Sequence, residues 1–475
     1  MNCILLRYGE IGLKSKGTRL YFEKLYTRAI KEALERNGIT KFILKNLGGR
    51  YIVETSENFA LEVLRKVPGI ESVSPAVKIK FNDKNDLLET LREFSGLAEG
   101  KKYAVKAKRV GKHEFTSQEL AKEAAGIFYE KSNGVDLSDP EITINLEIRN
   151  KECFLYTENL MGIGGLPAGS GGKVLALFSG GIDSPVAAMQ MLKRGCKVDF
   201  MLVDLLGEKT GNDVLDIYNY LINQYAYNYK PKFYLVDGKK IVEKLKKEVD
   251  GRLRQIALKI LFYKLGQKIA LQDGQEALVT GEALAQKSSQ TLTSLSFIDA
   301  QAGMLVLRPL VGMNKNEIVK IAREIGTLPA SEKVKEYCNL AEGKVSTAPS
   351  EKDLLGIPDF SMDVENAVIK VYSGIAEVEE EKATADLSGE FLTVDIRAKH
   401  LQEENPLGAD LSLPYPFVLE ELDTFKKDKK YLVICDFGAK SENIAYLLQK
   451  KGITAVGINL KNYLKYFKNN IKKSV

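Results

Sequence analysis

The sequence has no GxxxxGK[ST] pattern, no CxxC pair, only two histidines (His113 and His400) and no apolar run near the ~18 residues of a membrane span. Without the first, γ-phosphate transfer on a Walker A loop is not expected. The five cysteines, Cys3, Cys153, Cys196, Cys338 and Cys435, are odd in number and widely scattered. Neither a zinc site nor a secreted disulfide framework fits that spacing. Residues 1–10 lack the cationic, apolar and small-residue order of a signal peptide. The expectation is a cytoplasmic protein with no membrane contact.

What is present is ordinary in bulk: 475 residues, 44% hydrophobic and 28% charged, enough for roughly three domains of ~150 residues. A net charge of +6 is too mild to prove a nucleic-acid partner, so its distribution matters more than its sum.

Along the chain, residues 2–8 read as a strand, 21–36 as a helix, 42–47 and 51–54 as strands, 58–66 as a helix and 70–80 as extended. That mixture predicts a small α+β unit. The stretch KKYAVKAKRVGKH (101–113) carries Lys101, Lys102, Lys106, Lys108, Arg109 and Lys112 and no acidic residue. On a strand, Lys102, Lys106 and Lys108 share a face. Such a row suits phosphates, and equally suits an edge strand that lysines guard against aggregation. A helix over 117–131 and strands near 142–148 and 152–157 follow. Glycines then crowd residues 162–172 and mark a boundary. From Lys173, strands at 173–178, 197–203, 233–236, 277–280 and 304–307 alternate with helices, as in a parallel, doubly wound α/β domain. The polar stretch 340–386 reads as a second boundary. Strands at 391–395, 431–435 and 454–458, with a helix over 441–451, predict a last small α/β domain.

The strongest chemical signal is Ser179-Gly180-Gly181-Ile182-Asp183-Ser184, between a strand and a helix. Glycines let successive N–H groups close on an anion, and the helix start adds donors and a positive dipole end. Ser179 and Ser184 add hydroxyls. The motif resembles the SGGxDS loop of pyrophosphatase-loop ATPases, which split ATP between the α and β phosphates to adenylate a carbonyl oxygen. The resemblance implies that Asp183 supports Mg2+ or the pyrophosphate geometry. GMP synthesis, NAD synthesis, lysidine formation and RNA thiolation all remain open on this motif.

Longer stretches are more specific. ALVTGEALAQKSSQTLTSL (277–295), VLRPLVGMNK (306–315), EYC (336–338), RVGKHEFTS and GIGGLPAG resemble the tRNA 4-thiouridine synthetase (tRNA uracil 4-sulfurtransferase) family over essentially the whole chain. The resemblance implies a ferredoxin-like domain (1–60), a THUMP RNA-binding domain (61–165), an adenylating ATPase domain (173–345), a linker (346–385) and a rhodanese-like domain (386–470). It assigns Leu177, Phe178, Leu202 and Val203 to the adenosine, Lys259, Gly281 and Gln290 to the nucleotide, and Lys315 to charge neutralisation during adenylation. By spacing alone, Lys259 and Lys315 would be ordinary surface lysines. The implied substrates are ATP, carried with Mg2+, and a tRNA, with uridine eight as target. A pyridoxal-phosphate cysteine desulfurase would supply the sulfur. A thiamine-pathway sulfur carrier protein is a further partner the resemblance allows, and a homodimer is left open.

Cys435 ends the apolar strand YLVIC and opens CDFGAKS, which resembles a rhodanese loop. Amides around the sulfur and a following helix start both favour a thiolate or persulfide anion. The bland alternative is a small buried hydrophobe at a strand end. Asp395-Ile396-Arg397 matches the rhodanese DxR element. Lys440 stands where that loop commonly has Arg, keeping the charge and losing the planar fork. Family resemblance makes Cys338 the resolving partner in a Cys338–Cys435 disulfide, which requires Cα atoms within about 7 Å at some stage. Besides tRNA thiolation, two further functions stay open: a sulfur carrier for thiamine thiazole, and a non-catalytic tRNA-binding protein.

Overall fold

The computed structural model describes residues 3–205, 208–334, 346–354, 356–376, 391–415, 417–419, 421–436, 439–460 and 462–464. The chain divides into two units between Leu166 and Pro167, inside the glycine-rich segment.

The first unit is one eight-stranded sheet with helices. Its strands are β1 (Cys3–Tyr8), β2 (Ile43–Asn46), β3 (Tyr51–Glu54), β4 (Ile70–Lys80), β5 (Tyr103–Val110), β6 (Ile142–Arg149), β7 (Glu152–Tyr156) and β8 (Leu160–Met161). Its helices are α1 (Lys16–Arg36), α2 (Ala60–Arg65), α3 (Lys84–Arg92) and α4 (Ser117–Tyr129). The order is β2-β3-β1-β4-β7-β6-β5, with β8 added on β4. The eleven-residue β4 makes the sheet continuous: Ser72 to Ala76 pair with β1, and Val77 to Lys80 with β7, both antiparallel. Helix starts are fixed locally. Asp83 accepts the N–H groups of Asn85 and Asp86 to begin α3, and Thr116 and Glu119 form a capping box at α4. One core, including Tyr103, Leu120, Phe128, Ile144 and Cys153, lies under β5 to β7. Another, including Cys3, Leu5, Ile52 and Phe154, lies under β1 and β3.

The second unit carries β9 (Lys173–Leu177), β10 (Lys197–Asp204), β11 (Lys232–Asp237), β12 (Ala277–Val279), β13 (Leu305–Leu307) and β14 (Ile369–Ser373) in the order β13-β12-β9-β10-β11-β14. Helices α5 (Asp183–Lys193), α6 (Glu208–Tyr225), α7 (Lys239–Glu248), α8 (Arg254–Asp273), α9 (Leu292–Asp299), α10 (Lys315–Glu324) and α11 (Leu328–Ser331) intervene. All pairings are parallel except β11 with β14. The apolar runs VLA of β9 and VDFMLV of β10 are buried as expected for strands covered on both faces. Because β9 is flanked by β10 and β12, the chain reverses its winding there. A crevice at the carboxyl end of such strands is where ligands bind in open α/β sheets.

The linker expected over 346–385 is not a plain connector. Its described residues hold α12 (Glu351–Leu354), α13 (Ser361–Glu365) and β14, which lies antiparallel on β11 from Val236↔Ile369 to Lys232↔Ser373. The alternation IKVYS is itself strand-like, but the polar residues around it mask so short an element.

A separate four-stranded parallel sheet follows in the same unit, in the order β16-β15-β17-β18. Its strands are β15 (Leu392–Asp395), β16 (Leu411–Ser412), β17 (Lys430–Cys435) and β18 (Thr454–Asn459), with helices α14 (Lys399–Glu404) and α15 (Ala439–Lys450). Val394, Val433, Ile444, Leu448 and Ala455 form its core. A Cβ at Gly457 would overlap the backbone of Ser441 and Glu442, so glycine there lets α15 start hard against β18.

Candidate active site

The glycine loop lies at the winding reversal, between β9 and α5. Ser179 donates its backbone N–H to the Ser184 hydroxyl at 3.1 Å, and the two hydroxyls are 3.3 Å apart. This closes the turn on itself. Gly180 has φ +73°, and a Cβ there would lie 2.6 Å from Cγ2 of Val214 on α6. Gly281, after β12, packs so closely on the start of α5 that a Cβ would lie 2.8 Å from the carbonyl carbon of Asp183. These approaches leave room for backbone and little else.

Asp183 opens α5, and its Oδ1 accepts from Nζ of Lys315 at 2.6 Å. Lys315 is the first residue of α10, held there by a capping box of Asn314 and Glu317. The side chain of Lys315 is 45% exposed, so it can turn from Asp183 to an incoming anion without unburying anything. A cavity of about 260 Å³ opens beside the loop, bordered by Leu177, Ser179, Asp183, Ser184, Leu202, Val203, Lys259, Gly281 and Gln290, all expected site residues. Leu258 and Phe262 of α8 add apolar wall. One end therefore suits a flat apolar group and the other an anion. Gln290 is held by its own side chain, whose Oε1 accepts the Lys287 N–H at 3.0 Å.

Phe178 does not fit its expected place. Its ring is buried edge-on against Phe200, centroids 5.1 Å apart, and against Phe233, and it does not border the cavity. Neighbouring residues at a strand end point to opposite faces, so Leu177 faces the cavity and Phe178 the core behind it. Sequence reading missed Glu282 and Arg308. Glu282 accepts from Lys259 at 2.6 Å and from Arg308 at 2.9 Å. Burial opposes its ionisation, yet Lys259, Tyr263 and Arg308 hold the carboxyl below its usual value.

The cysteines separate by surroundings. Burial pushes the thiols of Cys3 and Cys153 up to about 12, and raises that of Cys196. Cys435, at the end of β17, accepts the Ser441 N–H at 3.3 Å, and the Ser441 hydroxyl lies 3.4 Å from the sulfur. The Ser441 hydroxyl also donates to the Ile458 carbonyl at 2.9 Å, which fixes it between two strand ends. Lys440 stands over the Tyr415 ring, 5.2 Å from its centroid. Burial lowers the Lys440 ammonium, while Cys435 and Asp436 pull it back up. Burial raises the Asp436 carboxyl against the pull of Lys440. Arg397 grips Asp395 through Nε at 3.0 Å and Nη2 at 2.8 Å. Cys435 is 2% exposed here, and Tyr220 of α6 is close enough for Cys435 and Tyr415 to raise its hydroxyl further after burial. Lys333, beyond α11, pairs with Glu442 of α15 at 2.7 Å. The last sheet is thus docked on α6 and the end of α11. Cys338 lies outside the described residues.

In the first unit, the basic stretch forms edge strand β5. Lys106 and Lys108 are exposed while Tyr103 and Val105 are buried. Lys102 precedes the strand and lies 3.8 Å from Asp136, and Arg109 donates to the His113 carbonyl at 3.3 Å. Lys112 is exposed beyond the strand.

Comparison with known proteins decides the family. The model for thiamine biosynthesis protein (ThiI) matches residues 169–356, the THUMP domain model 84–158, and the ThiI ferredoxin-like domain model 3–74. A tRNA sulfurtransferase of Pyrobaculum aerophilum is 35% identical over 474 residues, covering 96% of each chain. The chain belongs to the tRNA sulfurtransferase family. A member from Serratia proteamaculans is 32% identical, with 96% of this chain and 99% of that one covered. Among solved structures, a 4-thiouridine synthetase in complex with RNA and bound ATP is 28% identical, with a TM-score of 0.65. The match covers 78% of this chain and 99% of that one. Among the described residues, no helix is long and apolar enough to cross a membrane.

Proposed function

We propose that this family member uses ATP and a cysteine persulfide to convert a tRNA uridine, at position eight, to 4-thiouridine. The observation that carries the reading is the anion cradle at the end of β9, with Lys315 on Asp183, in a chain similar to a 4-thiouridine synthetase solved with RNA and ATP.

The adenine occupies the apolar end between Leu177, Leu202 and Val203, and the phosphates meet the glycine loop. The residues fit that substrate: the close approaches at Gly180 and Gly281 keep side chains out of the cradle, two hydroxyls border it, and the half-exposed Lys315 pairs with Asp183 at its edge. Mg2+ arriving with ATP would sit at Asp183 and offset phosphate charge there. Uridine O4 bonds to the α-phosphorus, pyrophosphate departs and the N3 proton is lost. Lys315 leaves Asp183 to neutralise the charge that builds on phosphate oxygen. The terminal sulfur of a Cys435 persulfide then attacks C4, and AMP departs with the former O4. The remaining C4–S–S–Cys435 linkage is cleaved by the Cys338 thiolate at the Cys435 sulfur. The product takes its N3 proton back, and the Cys338–Cys435 disulfide is reduced by an external dithiol.

The C-terminal sheet acts as a rhodanese-like module. The Ser441 N–H and Lys440 stabilise the sulfur anion, and a cytoplasmic pyridoxal-phosphate cysteine desulfurase loads it. Lys106, Lys108 and their neighbours contact tRNA phosphates and recognise shape more than sequence. The test is the 4-thiouridine content of tRNA from cells carrying Asp183→Ala or Cys435→Ser. Both should abolish it, and unchanged levels in both would reject the reading.

The family model's name also favours a second use of the same sulfur, relay to thiamine thiazole. That use needs Cys435 and not Asp183. Thiazole-dependent growth of a Cys435→Ser strain, with an Asp183→Ala strain growing normally, is the expected pattern.

A further inference from the structure

Glu282 borders the nucleotide cavity and has no task in the chemistry above. Its two carboxylate oxygens are used differently. Oε2 accepts from the Tyr263 hydroxyl at 2.7 Å, from Nε of Arg308 at 2.9 Å and from the Thr280 hydroxyl at 3.1 Å. Oε1 accepts from Nζ of Lys259 at 2.6 Å. The frame behind Oε2 is itself braced, because Arg308 also reaches Asp299 at 2.9 and 2.5 Å and the Tyr263 hydroxyl at 3.0 Å. Lys259 and Glu282 border the cavity, whereas Arg308 and Asp299 stand behind it.

Two cations and two carboxylates balance in this cluster, so Lys259 adds little general attraction for anions. Its value lies in direction. A lysine on a four-carbon stem does not hold one geometry unless something fixes its ammonium. We propose that Glu282 is a positioning residue: anchored to the protein frame through Oε2, it aims Lys259 at the bound nucleotide through Oε1. The inference rests on the nucleotide reading of the cavity. It assigns Arg308 the supporting job of keeping Glu282 ionised and still.

A buried glutamate could instead serve the fold alone, and a double-mutant cycle separates the two roles. Wild type, Lys259→Met, Glu282→Gln and the double variant are compared for kcat/KM for ATP in tRNA-dependent pyrophosphate release, with thermal unfolding as the folding control. If Glu282 acts through Lys259, each single variant loses about tenfold or more, and the double stays within about threefold of the worse single. A double variant whose loss is the product of the two, about a hundredfold, overturns the proposal, as does either single variant with unchanged kcat/KM. If Glu282→Gln does not fold, Glu282→Asp replaces it, with the same non-additive and additive outcomes. ATP affinity by calorimetry carries the same cycle. A wild-type protein that binds ATP and releases no pyrophosphate would therefore reject the thiolation reading and leave the Glu282 test readable.

Discussion

Replacing Gly180 with alanine strikes the glycine loop where its backbone is least replaceable. At φ +73°, an alanine costs about 1–2 kcal/mol more than glycine. Its Cβ would also lie 2.6 Å from Val214 Cγ2 and 3.3 Å from Val214 Cβ and Cγ1. Val214 is fully buried on α6 and, being β-branched in a helix, has one favoured χ1. It cannot step aside, so overpacking adds about 1–3 kcal/mol. The sum is about 2–5 kcal/mol, most readily relieved by moving the loop and breaking the Ser179–Ser184 closure. If that strain appears in ATP binding, affinity falls between about 30-fold and a few thousand-fold. Val214→Ala in the same chain removes Cγ1 and Cγ2 and recovers the overpacking share. The double variant should then bind ATP only about 5- to 30-fold more weakly than Val214→Ala alone. Calorimetric titration with ATP measures both steps. Wild-type affinity in Gly180→Ala would refute the reasoning, because the loop would then not be the cradle.

Other consequences are open to direct measurement. Lys315→Gln should keep ATP affinity within a few-fold and lower pyrophosphate release by about a hundredfold, since the lysine acts on charge that develops during reaction; single-turnover kinetics reads this. Lys106→Ala with Lys108→Ala should weaken tRNA binding and flatten the slope of log affinity against log salt by roughly 0.9 per lost phosphate contact, or 0.7 on a single strand. The thiols of Cys3 and Cys153 and the Tyr8 hydroxyl are all held near 12, by burial first. The unfolded chain sheds these protons from about pH 9 or 10, so these three groups should cost the first unit stability as the pH rises between about 9 and 12. Denaturant midpoints across that range check it. Lys333→Glu would place a third carboxylate beside Glu442 and Asp216, whose carboxyl burial already raises well above its usual value. Alkylation of Cys435 should accelerate several-fold as the docked sheet loosens, and an unchanged rate would count against docking as the cover of that thiol.

The parts of this protein legible in its sequence are those whose chemistry is local. The glycine loop stands out because glycines, hydroxyls and an aspartate must be contiguous to wrap an anion. Cys435 stands out because a strand end and a helix start flank it within seven residues of CDFGAKS. Phe178 went astray because adjacency in sequence says nothing about which sheet face a residue takes. Glu282, Lys259 and Arg308 come from the exit of β12, from α8 and from the end of β13, so only the fold reveals that they meet. Tyr220 and Cys435 are likewise brought together by the docking of one sheet on the helices of another. Strand β14 was hidden because five residues on a sheet edge leave too short a pattern to stand out from a polar stretch.

The central claim is that one chain couples ATP cleavage at the Asp183 loop to sulfur transfer from Cys435. Mass spectrometry of nucleosides from unmodified tRNA, incubated with purified protein, ATP, Mg2+ and a persulfide donor, tests it most directly. The account predicts 4-thiouridine in step with AMP and pyrophosphate, with none from Asp183→Ala or Cys435→Ser. Thiolation that proceeds without ATP, or that survives both substitutions, would contradict it.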